Sequence, residues 1–431
     1  MNPSASFTNL GETERNRLYA SLKESYDAYK LRGMKLDMSR GKPCPEQLAL
    51  SKGMLDLLTS SDPLQAEDGT DCLNYGGIDG IPEAKRLFSR LLGVSEQEVI
   101  IGGNASLNMM YDALARAMLH GVYGSETPWG KLPKVKFICP SPGYDRHFAI
   151  CEQLGIEMIA VDMLEGGPDM DQVEKLAGED DAIKGIWCVP KYSNPDGITY
   201  SDETVDRLAS MRTKASDFTI FWDDAYTVHH LTDEPDPLKP ILAACKAAGH
   251  PNRVYLFCST SKITFPGSGV AAMASSEANV SHIRKHLSAQ TIGPDKINQL
   301  RHVRFLRDID HIEAHMKRHA DIIKPKFDRV LHKLEASLGG KQIAWWNKPN
   351  GGYFISLNTL DGCATEVVRM AAEAGVTLTK AGATFPYGKD PRNRNIRIAP
   401  TFPKLEELET AIDILCLCIQ MVSLTKLQGD R

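Results

Sequence analysis

The sequence predicts an α/β protein built on a mainly parallel sheet covered on both faces. Two observations carry this. Between about residues 80 and 280, short apolar segments alternate with segments of helical periodicity. The apolar segments are hydrophobic almost throughout, as strands buried on both faces are. The chain from residue 343 onward reads as a smaller α+β unit, which the N-terminal helix is expected to join.

The elements follow in order. Leu18, Leu22, Tyr26 and Tyr29 recur at helical spacing and predict a helix over 14–33. Residues 83–92 read as a helix, EVIIGG as a strand ending in glycines, and 107–118 as a helix. VKFICP, IEMIAVDM, IKGIWCVP, FTIFWDD and RVYLFCS then read as strands. From His302 a long amphipathic helical stretch follows, and Pro325 is expected to kink or split it. His302, His311, His315 and His319 lie on it and read as solvated or dimer-facing positions, not metal ligands.

Composition narrows the class. The 431 residues are 42% hydrophobic and 24% charged, as in ordinary globular chains. A formal net charge of −5 argues against a protein built mainly to hold nucleic acid. No apolar run approaches the roughly 18 residues of a membrane span. The start, MNPSASFTNLGETERNRLY, lacks the basic and apolar regions of a secretory signal. The ten cysteines contain no C-x-x-C pair and read as small buried hydrophobes, including Cys416 and Cys418. Reduced thiols without a signal predict a cytoplasmic protein.

Four features lie where predicted strands end, the edge at which open α/β sheets bind ligands. Gly102-Gly103-Asn104-Ala105-Ser106-Leu107 joins a strand to a helix, and the free N–H groups of a helix start suit a phosphate. Asn194 precedes Pro195 in a loop after an apolar strand, so an extended Asn there reaches into a cleft; an ordinary Asn-Pro turn is the plainer alternative. Asp223 and Asp224 end another strand, where burial is costly without a cation or hydrogen-bond donors. A helix-capping role fits Asp224 well and Asp223 less well. Lys262 follows a fourth strand among hydroxyls and glycines; partly desolvated, it would be an amine able to form a Schiff base.

Together and in this order, these features resemble the fold-type I pyridoxal-phosphate enzymes, specifically the class I aminotransferases. The likeness runs from about Leu36 to about Pro403. It implies a large unit with a mainly parallel seven-stranded sheet and a smaller α+β unit. Residues 1–70 would join the small unit, 71–305 form the large one, and 306–431 complete the small one. It also implies pyridoxal 5'-phosphate as cofactor, amino acid and 2-oxo acid substrates, a ping-pong transfer, and a homodimer with shared sites. Neither nucleic acid, membrane nor metal enters this picture.

The resemblance carries roles onto matching positions. Lys262 matches the lysine that joins the cofactor, Asp223 the partner of its pyridine nitrogen, and Tyr226 the tyrosine on its phenolic oxygen. Asp224 would point to the opposite strand face. Asn194 matches the asparagine on that oxygen and on the substrate carboxylate, and Tyr144 the aromatic stacked on the ring. Ala105, Ser106 and Leu107, with Ser259 and Ser261, match the phosphate cup. Tyr75 resembles the tyrosine that reaches the partner's phosphate. Arg397 matches the clamp on the substrate α-carboxylate, and Gly41 the glycine that closes over substrate. Pro349-Asn-Gly351-Gly352 resembles the entry to a small-domain strand. Arg40, flanking Gly41, is the candidate for a distal carboxylate, with a plain surface arginine as its alternative.

One departure stands out. The family usually places an arginine on the phosphate about eight residues after the lysine, where this chain has Gly269 and Val270. Lys296 and Arg301 are the replacement candidates. This departure, the segment Ser39-Arg40-Gly41-Lys42-Pro43 and the surroundings of Asn194 resemble the divergent type Ic aspartate aminotransferases. That likeness implies aspartate or glutamate as substrate. Within the same fold type, alanine or aromatic aminotransferases and β-lyases are the alternatives. A cofactor-binding transcriptional regulator is disfavoured, since only about 35 residues precede the Arg40 motif and the segment they form is not basic overall.

Overall fold

The computed structural model describes residues 6–429; the outermost residues of the expected terminal segments, 1–5 and 430–431, lie outside them. Thirteen strands form three sheets among these residues. They are β1 (Leu36–Asp37), β2 (Val99–Ile101), β3 (Lys136–Ser141), β4 (Glu157–Leu164), β5 (Gly167–Pro168), β6 (Ile183–Cys188) and β7 (Thr219–Asp223). Then follow β8 (Val254–Ser259), β9 (Ala271–Ala274), β10 (Ala344–Trp346), β11 (Ile355–Thr359), β12 (Val376–Thr377) and β13 (Asn395–Ile398).

The main sheet has the order β2-β9-β8-β7-β6-β3-β4-β5. Pairs β8–β7, β7–β6, β6–β3 and β3–β4 are parallel, and β9 runs against both of its neighbours. Every residue of β6 and β7 is buried, which is why these segments read as unbroken apolar runs. The resemblance implied seven strands. The eighth, β5, is a two-residue edge strand antiparallel to β4. Its Gly-Pro pair sits at an edge, where a missing N–H is tolerated, and gives no apolar run to read.

The helices follow their local chemistry. Pro82–Leu92 opens on a proline and ends at Gly93 with φ 67°. Ser106–His120 starts directly after the glycine turn that follows β2. Pro325 neither kinks the chain into two helices nor stops it: Ile309–Leu338 is one helix. Ile312, Met316, Ile323, Phe327, Val330 and Leu334 are buried on both sides of Pro325, so packing overrides the roughly 3 kcal/mol penalty of an internal proline. The break comes earlier, at Arg307 with φ 57°, and Asp308 caps the next helix by accepting from His311 N–H.

The histidine reading also changes. His311 is exposed, but His302, His315 and His319 are buried. His302 Nδ1–H donates to Asn298 O at 2.7 Å and its Nε2 pairs with Thr264 Oγ1 at 2.9 Å. His315 Nε2–H donates to Ile263 O at 2.9 Å. These bonds brace the backbone immediately after Lys262, and satisfied imidazoles can be buried.

The smaller part holds the β10-β11-β13 antiparallel sheet and the parallel pair β1–β12, which sews the N-terminal segment to the C-terminal half. Phe7, Tyr26 and Met38 share its core. Leu58, Leu64 and Ala66 instead pack on the main sheet, so the segment 1–70 does not join the small unit as a whole. The helix Leu405–Gly429 is long and apolar enough to cross a membrane, contrary to the reading of the sequence by runs. Of its most apolar window 72% is buried against the rest of the chain, as a core helix would be. All ten cysteines are buried.

Candidate active site

A cavity of about 580 Å³ opens where β7 and β8 end, between the main sheet and the smaller part. Lys262, Asp223, Tyr226, Asn194, Tyr144, Ser106, Leu107, Gly41, Arg40 and Arg397 all line it. These positions span most of the chain: the parallel strands of the main sheet end on one edge and bring residues such as Tyr144, Asn194 and Asp223 there, while the smaller part brings Arg40, Gly41 and Arg397.

The floor is built from Asp223 and Lys262. Asp223 closes β7 and is 3% exposed. His147 Nε2–H donates to its Oδ2 at 3.0 Å, and His147 stacks on Trp187 at 4.2 Å. The other oxygen, Oδ1, is buried with no partner. Such an orphan needs an explanation, and a protonated ring nitrogen is a donor that would supply one. Asp224 does not line the cavity; burial pushes its carboxyl up to about 6.

Lys262 lies 5.0 Å from the Tyr226 ring centre and 6.0 Å from that of Tyr353. Burial holds its pKa below the usual value, outweighing the Asp223 carboxylate, which pushes the other way. Burial thus eases the loss of the proton from the Lys262 amine. Tyr226 is buried, and desolvation holds its phenol protonated well beyond the usual range. Tyr144 packs edge-on to His147, and burial raises its phenol to about 12.

Arg397, on β13, forms one wall. Its Nη1 donates to Asp145 Oδ1 at 3.0 Å and to Asn194 Oδ1 at 3.2 Å, and its Nη2 to Thr379 Oγ1 at 3.2 Å. The guanidinium sits 4.8 Å over the Phe354 ring, and its buried Nε has no partner. Gly41 faces the same ring: a Cβ there would collide with it. The β1–β12 pairing carries the Arg40 loop to this place, and Thr379 Oγ1–H fastens it by donating to Ser39 O at 2.7 Å. Arg40 is exposed at the mouth, beside Lys42, Arg146 and Lys380. Apart from Lys262, five cationic side chains (Arg40, Lys42, Arg146, Lys380 and Arg397) thus line the cavity against two carboxylates, Asp145 and Asp223.

At the other end, Ala105 is the extended residue before the helix Ser106–His120. Ser259 Oγ–H donates to Ser261 Oγ at 3.0 Å, and Ser261 Oγ–H to Asn104 O at 3.4 Å. The two serines therefore converge on the helix start. Tyr75 is not brought to the cavity of its own chain; it is 83% exposed on a separate loop. Neither Lys296 nor Arg301 lines the cavity. Sequence reasoning did not name His147, Asp145, Arg146, Thr379 or Phe354. His147 was findable, since it follows Tyr144 by one helical turn on the helix Asp145–Gln153. Asp145 and Thr379 reveal themselves only through the fold.

Fold and cavity together define an aminotransferase of the pyridoxal-phosphate fold-type I class. Residues 10–431 match the family described as aspartate amino-transferase, and the chain belongs to that family. A relative from Mycolicibacterium smegmatis is 48% identical over 427 residues, 99% of this chain and 100% of its own. The aspartate aminotransferase of Corynebacterium glutamicum is 44% identical over 413 residues, 96% of this chain and 95% of its own. A crystal structure of an aspartate transaminase from that organism superposes with a TM-score of 0.96 at 42% identity, covering 98% of this chain and 100% of its own. An α-aminoadipate aminotransferase from Thermus thermophilus has a TM-score of 0.74 at 18% identity, covering 94% and 96%, and shares the fold.

Proposed function

We propose that this enzyme moves an amino group between aspartate or glutamate and a 2-oxo acid, with pyridoxal 5'-phosphate attached at Lys262. The observation that carries this reading is the pairing in one cavity of Lys262 with the orphaned Asp223 Oδ1. Bound there, the cofactor supplies a conjugated ring that takes up the electron pair left when the substrate Cα–H bond breaks.

This chain's residues do the rest. Asp223 Oδ1 would accept from the ring N–H and keep that nitrogen protonated, while His147 holds the carboxylate in place. Tyr226 and Asn194, which line the same cavity, would serve the phenolic oxygen, and Tyr144 would pack on the ring. Ala105, Ser106, Leu107, Ser259 and Ser261 hold the phosphate at a helix start. Once substrate has displaced it from the cofactor, the Lys262 amine, whose charged form burial disfavours, would carry the proton from substrate Cα to the cofactor carbon on the far side of the shared nitrogen. Arg397 orients the α-carboxylate so that the Cα–H bond stands across the ring. Gly41, packed against the Phe354 ring, would cover it from the side of the smaller part.

The excess of cations around the cavity favours a dicarboxylic substrate, with Arg40 as the reader of the distal carboxylate. The exposed apolar residues Leu73, Tyr75 and Ile292 favour a homodimer in which Tyr75 completes the partner's phosphate site. The change of helix at Arg307 supports a division into large and small units near residue 305. A cytoplasmic location accords with the buried thiols.

The test is kcat/KM for aspartate, glutamate, alanine and phenylalanine with 2-oxoglutarate as acceptor. Aspartate should lead alanine and phenylalanine by at least tenfold. A preference for alanine or phenylalanine would remove the dicarboxylate assignment.

A further inference from the structure

The cofactor's phosphate carries a charge of roughly −1.5 to −2 at neutral pH. The start of the helix Ser106–His120 offers only about half a positive charge against it. A further cation is required, and the segment after Lys262 has no space for one. A Cβ on Gly269 would lie 2.8 Å from Asn104 O and 3.2 Å from both Phe265 O and Thr260 Oγ1. Val270 is buried, and its N–H donates to Thr260 Oγ1 at 2.9 Å.

Two cations approach from the helix Lys296–Leu306. Lys296 is already engaged: its Nζ donates to Asn74 O at 2.6 Å and Gly76 O at 2.7 Å, pinning the loop that carries Tyr75. Arg301 differs. Its Nη2 donates to Ser268 Oγ at 2.9 Å and Asn298 Oδ1 at 2.5 Å, both neutral oxygens. Its Nε is buried with no partner. A half-buried guanidinium held by neutral groups keeps an uncompensated charge and an unused donor.

The position of that charge matters. Ser268 adjoins Gly269, whose backbone lies against Asn104 O, the same carbonyl on which Ser261 Oγ closes. Asn298, the second partner of Arg301, donates Nδ2 to Gly269 O at 2.8 Å. Arg301 therefore stands behind the glycine turn that backs the serine cup.

We propose that Arg301 is the cation that balances the cofactor's phosphate, its charge placed from the helix Lys296–Leu306 behind the turn where Gly269 leaves no room for a side chain. This rests on the pyridoxal-phosphate reading above. The guanidinium stays charged at every working pH, and its bonds to Ser268 and Asn298 hold that charge behind the cup.

The test compares dissociation constants of the apo-enzyme for pyridoxal 5'-phosphate and for pyridoxal, which lacks the phosphate, followed by cofactor absorbance. Arg301→Gln should weaken the phosphorylated ligand ten- to a hundredfold and leave pyridoxal unchanged. Arg301→Lys should recover part of the loss, because it restores charge without the guanidinium. Equal losses for both ligands, or no loss for the phosphorylated one, would overturn the assignment. So would a phosphate-selective loss in Lys296→Gln with none in Arg301→Gln. Failure of the unaltered protein to bind either ligand would instead overturn the cofactor reading itself.

Discussion

His147 Nε2–H donates to Asp223 Oδ2 at 3.0 Å, and the opposite oxygen of that carboxylate is buried without a partner. The imidazole fixes the plane of the carboxylate, and its own stacking on Trp187 fixes the imidazole. What remains is a single preset acceptor facing the cavity.

The first prediction follows from that acceptor. Asp223→Asn should lower kcat by several powers of ten, because an amide stabilises a protonated ring nitrogen poorly. His147→Leu should cost roughly ten- to a hundredfold, the worth of a charge-assisted hydrogen bond. Asp224→Asn should stay near full activity. Steady-state rates on the three variants check the order; a greater loss in Asp224→Asn than in Asp223→Asn would reverse the assignment.

Asp224 carries a second prediction, about stability. Its pKa rises from 3.8 to about 6 because it is buried. The folded state therefore binds this proton more tightly than the unfolded state. Stability contributed at low pH is lost as pH climbs from about 4 through about 6, and the full cost is present above that. Asp224→Asn removes the cost, with a gain of at most about 3 kcal/mol. Urea unfolding at pH 5 and pH 8 should show the larger gain at pH 8. An equal gain at both would mean that the carboxyl is not titrating in this window.

Much of this was legible in the sequence, and the reason is geometric. Parallel strands announce themselves as apolar runs, and the residue after each run is automatically at the ligand edge. Asp223, Lys262 and Asn194 could therefore be read from position alone. Residues that meet only across the fold could not. Asp145 reaches Arg397 over 252 positions of chain, and Thr379 reaches the Arg40 loop through a two-residue pairing too short to leave a pattern. Pro325 misled because a buried apolar face on both sides outweighs a local penalty. His302, His315 and His319 misled because polar residues at helical spacing look solvated until their buried partners are known.

The third prediction concerns the shared site. Tyr75→Phe subunits mixed with Lys262→Ala subunits should form hybrids with one intact site and one site bearing both lesions. Activity should then rise above that of either parent. Hybrids no more active than their parents would argue for sites confined to one subunit.

The fourth concerns substrate choice. Arg40→Ala should cost roughly ten- to a hundredfold in kcat/KM for aspartate and little for alanine, which has no distal carboxylate. Arg397→Ala should damage both. Equal losses in Arg40→Ala for the two substrates would make it structural and leave Arg146, which also lines the cavity, as the reader to test.

The central claim is that the amino group is stored on this protein between two half-reactions. A half-reaction tests it directly: the yellow holoenzyme is mixed with aspartate alone, and cofactor absorbance and released product are followed together. One equivalent of oxaloacetate should appear per site as the absorbance changes, no ammonia should be released, and 2-oxoglutarate should restore the original spectrum. Release of ammonia with pyruvate or fumarate, or an unchanged spectrum, would contradict the account.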